Sequence, residues 1–342
     1  KIFNGERYTI LRPARLGQKK TPANYAEIRD FLLSNIEKAD AAVLSIDTLL
    51  YGGLIPSRLH TLGEDEALER LMLLKTLREK NPSVKLYAFH CIMRCPTYSS
   101  DDEEPDYYAD YGAEIHQLGR LTHLEKLGMG DAQDCAAMRE KIDVDALADY
   151  LNRRAFNRRM NIRTLDLVED GTIDFLIIPQ DDSAKYGYTA MDQQAVRAVI
   201  DEKVLNDRVI LYPGADELGM TLTARAVNAL EGDTPRVYLK YASTLAPQLI
   251  PNYEDRSLNE TVKYHVMAAG CVVVPSLRDA DFVMGITAPA NKMLESAEQP
   301  ANNMDYDVER NMAEFLYFVN DCIRRGIPVA ILDNAYTNGG EL

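Results

Sequence analysis

Eight short apolar runs, at residues 8–11, 41–46, 84–89, 174–178, 209–212, 237–239, 282–286 and 329–332, are separated by longer segments of helical periodicity. Most of these runs lack the every-second-residue alternation of a strand with one wet face. They therefore read as parallel strands covered on both sides. A ninth run, 271–274, reads as an extra strand or a helix-to-strand connection. In 64–80, Leu68, Leu71, Leu74 and Leu77 recur at helical spacing behind first-turn acids, which the helix dipole favours. Residues 191–202 follow Thr189 with Asp192 three positions on, a capping-box pattern, and 216–230, 258–269 and 308–325 are further helices. Strand–helix–strand repetition implies right-handed crossovers and a parallel sheet. With 342 residues and seven or eight such units, a single (β/α)8 barrel of the TIM type is favoured over a doubly wound sheet.

The interval from Met93 to Gly171 is far longer than an ordinary strand-to-helix connection. It holds an acidic loop at 99–105 and helical stretches at 107–127 and 144–168, so a helical insertion over about 95–170 is expected to cap or wall the site. Lys1 is not a natural start, and the chain stops at Asn338-Gly339-Gly340-Glu341-Leu342 directly after a strand. It reads as one domain over 1–342, a fragment of a longer protein and a barrel incomplete at both ends.

Thirty-eight lysines and arginines against 53 aspartates and glutamates give a net charge of −15, which argues against a nucleic-acid partner. No apolar run approaches the length of a membrane span. The five cysteines, Cys91, Cys95, Cys135, Cys271 and Cys322, are odd in number and scattered. They read as packed thiols of a reducing, cytoplasmic compartment. No G-x-G-x-x-G, Walker loop, G-x-S-x-G elbow or H-E-x-x-H is present, and no cofactor is expected.

Sites in parallel α/β folds form at the carboxyl ends of strands. Those positions hold Asp47; His90 and Arg94; Gln180, Asp181 and Asp182; Asp216 and Glu217; Lys240 and Tyr241; and Asp333 with Asn334. The sharpest signal is Phe175-Leu-Ile-Ile-Pro-Gln-Asp-Asp-Ser183, where a greasy strand runs into two consecutive carboxylates. Their repulsion raises the pKa of one and sets an acid beside a base. The plainer reading, that they cap the next helix, is weakened by Thr189, which is better placed. Asp216 reads either as a helix cap, with Glu217 in the first turn, or as a group facing the site. Residues 45–58 put Asp47, Tyr51, Gly52, Gly53 and Arg58 on one loop, whose glycines permit close backbone approach. Arg58 reads equally as a surface ion pair. A lone histidine such as His90 is more often structural. Arg153, Arg154, Arg158 and Arg159 are expected to pair with neighbouring acids.

Ser45-Ile-Asp-Thr-Leu-Leu-Tyr-Gly-Gly-Leu-Ile-Pro-Ser-Arg58, Gln180-Asp-Asp-Ser183, Tyr212-Pro-Gly-Ala-Asp-Glu217 and Ala335-Tyr-Thr-Asn-Gly339 occur in this order. Together they resemble the bacterial family catalogued as domain of unknown function 4127, over essentially the whole chain. The resemblance marks Asp47, Tyr51, Arg58, Gln180, Asp181, Asp182, Asp216, Glu217, Asp333 and Asn338 as members of shared motifs. It also implies a preceding Leu-Pro-Leu-Asp-Glu-Arg-Pro strand and a continuation past the Asn-Gly motif. An acid and an arginine of the complete site are then missing here.

These acids point first to a glycoside hydrolase acting on a small-molecule or oligosaccharide substrate, because an oxocarbenium-like transition state needs a proton donor and a negative charge. An adjacent pair also resembles the dyad of substrate-assisted N-acetylhexosaminidases. Asp181 would orient and deprotonate the acetamide, and Asp182 would protonate the leaving oxygen. Asp47, Tyr51, Arg58, Arg94, Gln180, Asp216, Glu217, Asp333 and Asn338 are the candidate substrate-binding groups, with Tyr186 and Tyr188 as further sugar contacts. The alternatives are a Mg²⁺- or Mn²⁺-dependent hydrolase or lyase, with Asp47, Asp181, Asp182, Asp216 and Asp333 on the ion, and a non-catalytic carbohydrate-binding protein.

Overall fold

Parallel strands that are apolar on both faces need helices on both faces, and this decides how the chain packs. The structure, a computed structural model, describes residues 7–299 and 302–341. Four strands, β1 (Ala41–Ser45), β2 (Lys85–Phe89), β3 (Phe175–Gln180) and β4 (Val209–Pro213), pair in parallel in sequence order. A second parallel sheet contains β5 (Arg236–Tyr241), β6 (Val272–Val273), β7 (Phe282–Ile286) and β9 (Val329–Leu332), in the order β6-β5-β7-β9. Between β7 and β9 in the chain lies β8 (Leu294–Glu295), which pairs only with β10 (Tyr336–Thr337). The fold is thus mixed α/β built on parallel sheets. Among the described residues no ladder joins β4 to β5.

The first sheet is sandwiched. On one side, α1 (Tyr25–Asn35), α3 (Glu64–Lys80), α6 (Val144–Glu169) and α7 (Tyr188–Glu202) bury Leu71, Leu74, Leu165 and Val196 against Leu86, Leu176 and Ile178. On the other, α8 (Leu218–Glu231) lays Leu218, Leu222 and Ala226 against Tyr87, Phe175, Ile177 and Tyr212. Every residue of β3 and β4 is buried. At about 1.5–3 kcal/mol per fully buried large apolar side chain, this layer dominates the local energetics. The second sheet packs Val237 and Ile286 under Val262 and Val266 of α9 (Leu258–Ala268), and α11 (Met312–Arg324) presses Phe315 and Val319 towards Val329.

The long interval after β2 contains α4 (Tyr108–Lys126), α5 (Ala132–Arg139) and α6, with their own core around Tyr108, Ile115, Leu118 and Tyr150. As expected, its arginines pair with acids: Arg153 with Asp149, Arg154 and Arg158 with Asp192, and Arg159 with Glu64. Among the described residues no helix is long and apolar enough to cross a membrane.

Three expectations are corrected. Residues 8–11 form no strand: Ile10 and Leu11 are each 60% exposed, because no neighbouring strand supplies hydrogen bonds. Residues 46–51 are not loop but a short helix, α2 (Ile46–Tyr51), started by the Ser45 side chain accepting from Thr48 N and ended by Gly52 at φ 90°. Thr189 does not cap α7. Gly187 precedes that helix at φ 147°, and Thr189 lies inside it, its hydroxyl accepting from Arg154 at 3.3 Å. Neither Asp181 nor Asp182 caps α7 either. Five residues, Ser183 to Gly187, separate them from it.

Candidate functional site

Parallel pairing sets the carboxyl ends of β1 to β4 side by side, and the polar groups gather there. A cavity of about 460 Å³ opens at these ends, lined by Arg58, Arg94, Glu103, Asp181 and Asp216. Thr48, the 52–56 turn and a strap carrying Leu16, Gly17 and Lys19 complete its wall. At Gly52, which lines the cavity, the close backbone approach is to the segment that carries this strap. A Cβ there would stand 2.5 Å from Pro22 Cβ and 2.8 Å from Ala23 N.

Two buried arginines organise the charge. Arg58 donates to Asp181 Oδ2 at 3.1 Å and to Glu104 Oε1 at 3.1 Å. Arg94 donates to Glu104 Oε1 at 2.7 Å and to Glu103 Oε2 at 2.9 Å. One nitrogen of Arg94, Nη1, stands 3.4 Å from both Asp181 Oδ2 and Asp182 Oδ2. Arg58 is therefore part of the site and not a surface pair. Asp182 sits in the left-handed region at φ 47°, a conformation Asp tolerates better than most residues. Its carboxyl is pushed up, first by burial and then by the charge of Asp181, with Arg94 and Arg58 opposing. Asp182 is absent from the cavity lining, and its charge acts instead on the phenols of Tyr98 and Tyr253.

Beneath the cavity lies a buried polar layer. Asp47 is 1% exposed, and its Oδ2 accepts from Cys91 N at 3.0 Å while Oδ1 has no partner among the described residues. Burial raises its carboxyl to about 7. Tyr51 stacks on His60 with ring centroids 4.4 Å apart, and its hydroxyl is likewise without a described partner. His90 is structural: Nδ1 meets the Thr164 hydroxyl at 2.9 Å, and burial lowers the imidazole to about 3, so it stays neutral. Gln180 is buried, with its carbonyl accepting from Gln193 at 2.8 Å.

The remaining candidates lie apart. Glu217 caps no backbone group and pairs with His265 Nε2 at 3.0 Å, while its neighbour Asp216 faces the cavity. Burial opposes protonation of His265, but Glu217 outweighs it and raises the imidazole. Asp333 accepts from Thr287 Oγ1, just past β7, at 3.2 Å and from Glu341 N in its own loop at 2.9 Å. Asn338 donates to Glu295 at 3.0 Å, and Glu295 in turn accepts from Tyr253. Lys240 pairs with Glu314 and Tyr241 donates to Asn259. Tyr188 is buried in the cluster around Tyr108, Ile115 and Tyr150, and Tyr186 packs edge-on to His123. Of the five aspartates named for a cation, Asp181 and Asp216 share the cavity lining, and Asp47, Asp182 and Asp333 are not part of it. Among the described residues no three His, Cys, Asp or Glu side chains are grouped as metal ligands.

Glu103 and Glu104 were not among the expected site residues. Their only signal was the acidic loop at 99–105 in the long interval; nothing local marks Glu104, 1% exposed, as the buried member. A family model described as protein of unknown function (DUF4127) matches residues 1–342. No curated protein and no solved structure matches the chain.

Proposed function

The chain belongs to the family described as proteins of unknown function (DUF4127), and we propose from the site itself that it is a glycoside hydrolase acting on an N-acetylhexosamine-type sugar. The observation that carries this reading is the sharing of Arg94 Nη1, 3.4 Å from each, by the adjacent carboxylates Asp181 and Asp182. Two guanidiniums stand 3.1 Å and 3.4 Å from the Asp181 carboxylate, whereas burial and then the charge of Asp181 push the carboxyl of Asp182 up. One carboxylate and one neighbouring acid are what substrate-assisted cleavage needs.

In that reaction the acetamide oxygen attacks the anomeric carbon while Asp181 takes up the amide proton. The glycosidic C–O bond breaks as Asp182 delivers its proton to the leaving oxygen. Water then opens the cyclic intermediate, its proton going to Asp182 as base while Asp181 returns the amide proton to the nitrogen. A cavity of about 460 Å³ suits one substituted sugar ring. Its lining balances Arg58, Arg94 and Lys19 against Glu103, Asp181 and Asp216, which suits a neutral polar substrate. Asp182, outside the lining, would stand on the leaving-group side.

The in-sequence order β1-β2-β3-β4 is that of half a (β/α)8 barrel, and the barrel remains our architectural reading. Closure would require the edges of the first sheet, β1 and β4, to meet those of the second, whose order leaves β6 and β9 outermost. Four buried free thiols and one half-buried one fit a reducing compartment, and on that ground we place the chain in the cytoplasm. The test is hydrolysis of a panel of α- and β-linked 4-nitrophenyl N-acetylhexosaminides. Asp181→Asn and Asp182→Asn should each lose at least about 10²-fold in kcat. Normal turnover by the double variant, or none by the wild type across the panel, defeats the proposal.

A further inference from the structure

Glu104 lies outside the cavity lining, yet its side chain closes a ring of charge around the proposed catalytic pair. Its Oε1 accepts from Arg94 Nε at 2.7 Å and from Arg58 Nη1 at 3.1 Å. Through other nitrogens, the same two arginines reach Asp181 Oδ2, Arg58 Nη2 at 3.1 Å and Arg94 Nη1 at 3.4 Å. We infer that Glu104 is a positioning residue, which fixes both guanidiniums in the orientation that holds Asp181 and, through Arg94, Asp182. The inference rests on the proposed roles of that pair.

The physical case has three parts. Two guanidiniums converging on one carboxylate repel each other strongly where water is scarce, and the anion between them offsets that repulsion. Glu104 is committed to this task, because its side chain is 1% exposed and Oε2 has no partner among the described residues. Its neighbour Glu103 cannot replace it. Glu103 is 41% exposed at the rim, and it reaches Arg94 at 2.9 Å and Arg58 only at 3.4 Å. The acidic loop after β2 thus completes a site whose reacting groups follow β3.

A merely structural Glu104 would affect stability alone, so the test reads the carboxyl of Asp182. The charged and titratable groups acting on it are Asp181, Arg94, Arg58 and Glu104, with the phenols of Tyr98 and Tyr253 beside it. Glu104→Gln keeps the shape and an acceptor but removes a negative charge, and it leaves both arginines freer to favour ionised Asp182. The Asp182 titration, followed by carbon-13 NMR of aspartate-labelled protein and assigned with Asp182→Asn, should move to lower pH. On the nitrophenyl glycosides, kcat should fall on the order of 10²-fold with a smaller change in KM, and its pH profile should shift the same way. Glu104→Asp, which keeps the charge, should restore the midpoint in part. A lower Tm for Glu104→Gln with an unmoved Asp182 midpoint and an unchanged kcat overturns the inference. A moved midpoint in a protein whose wild type cleaves no glycoside upholds the positioning and defeats the hydrolase reading instead.

Discussion

The two parallel sheets treat their strand-end acids differently. In the first, β3 and β4 are buried at every residue, and Asp181, Asp182 and Asp216 emerge from strands held on both faces. In the second, β5 is mostly half-buried and three of the four residues of β9 are exposed. Its acid Asp333 turns back onto its own loop, and Lys240 pairs outward with Glu314. A rigid, doubly covered strand can aim a side chain at a distant partner, such as Asp181 at Arg58, 123 positions away. The half-covered second sheet spends its polar groups on separate pairs instead, Lys240 with Glu314 and Asp333 with Thr287. Similar sequence patterns at strand ends therefore gave a shared site in one sheet and separate loop contacts in the other.

The largest expected contrast lies between Arg94 and Lys240. Arg94→Ala leaves Glu104 buried beside a single cation, which costs about 3–5 kcal/mol and abolishes turnover. Lys240→Ala breaks a surface pair worth at most about 1 kcal/mol. Chemical denaturation of both variants measures the gap, and equal losses would remove the distinction drawn between the sheets.

Core truncation should follow the same division. Ile178→Ala in β3 empties a fully buried position and should cost about 2–5 kcal/mol. Ile331 in β9 is 53% exposed, and its truncation should cost less than half as much. If the two urea midpoints fall together, the second sheet is as tightly packed as the first.

The pH dependence of stability probes the buried layer under the cavity. Asp47, raised to about 7 by burial, binds its proton more tightly when folded. Its contribution is complete below about pH 4 and is lost as pH rises through 7, by up to about 1.4 kcal/mol per unit. His90, lowered to about 3, acts in the opposite sense: its contribution is present above pH 6.5 and is lost as pH falls. Between about pH 4 and 6.5 the two slopes oppose each other. Asp47→Asn should therefore expose an acid-side loss of stability that His90→Gln does not show. Parallel stability profiles for the two variants would mean that neither group titrates as its burial implies.

Much of the first sheet could be read from the sequence, because runs such as 84–89 and 174–178 owe their character to burial, which composition reports directly. Asp181 and Asp182 were readable for the same reason, since they mark where such a run stops. Glu104 was not, because a loop has no period and its partners Arg58 and Arg94 are 46 and 10 positions away. Thr189 misled for a related cause. Its hydroxyl suits a cap locally, but Arg154, 35 residues earlier, draws it inside the helix. Six-residue α2 is too short to show a periodic face, so its helix rests on the Ser45 cap and on packing of Leu49 and Leu50 in the core.

The smallest expected effect is at Asp333, and it tests the comparison most directly. Asp333 was grouped with Asp181 by sequence position alone. Its carboxylate accepts from the Thr287 hydroxyl, just past β7, and from the backbone N–H groups of Ala335 and Glu341, after β9. Asp333→Asn keeps one acceptor oxygen, so stability should fall by about 1 kcal/mol or less, the worth of a typical hydrogen bond. Turnover on the nitrophenyl glycosides should stay within about twofold of wild type, since about 1.4 kcal/mol of lost transition-state binding would already be tenfold. A loss approaching that of Asp181→Asn would place the second sheet's strand ends in the same site as the first. The local bonds of Asp333 would then be a resting arrangement that substrate rearranges.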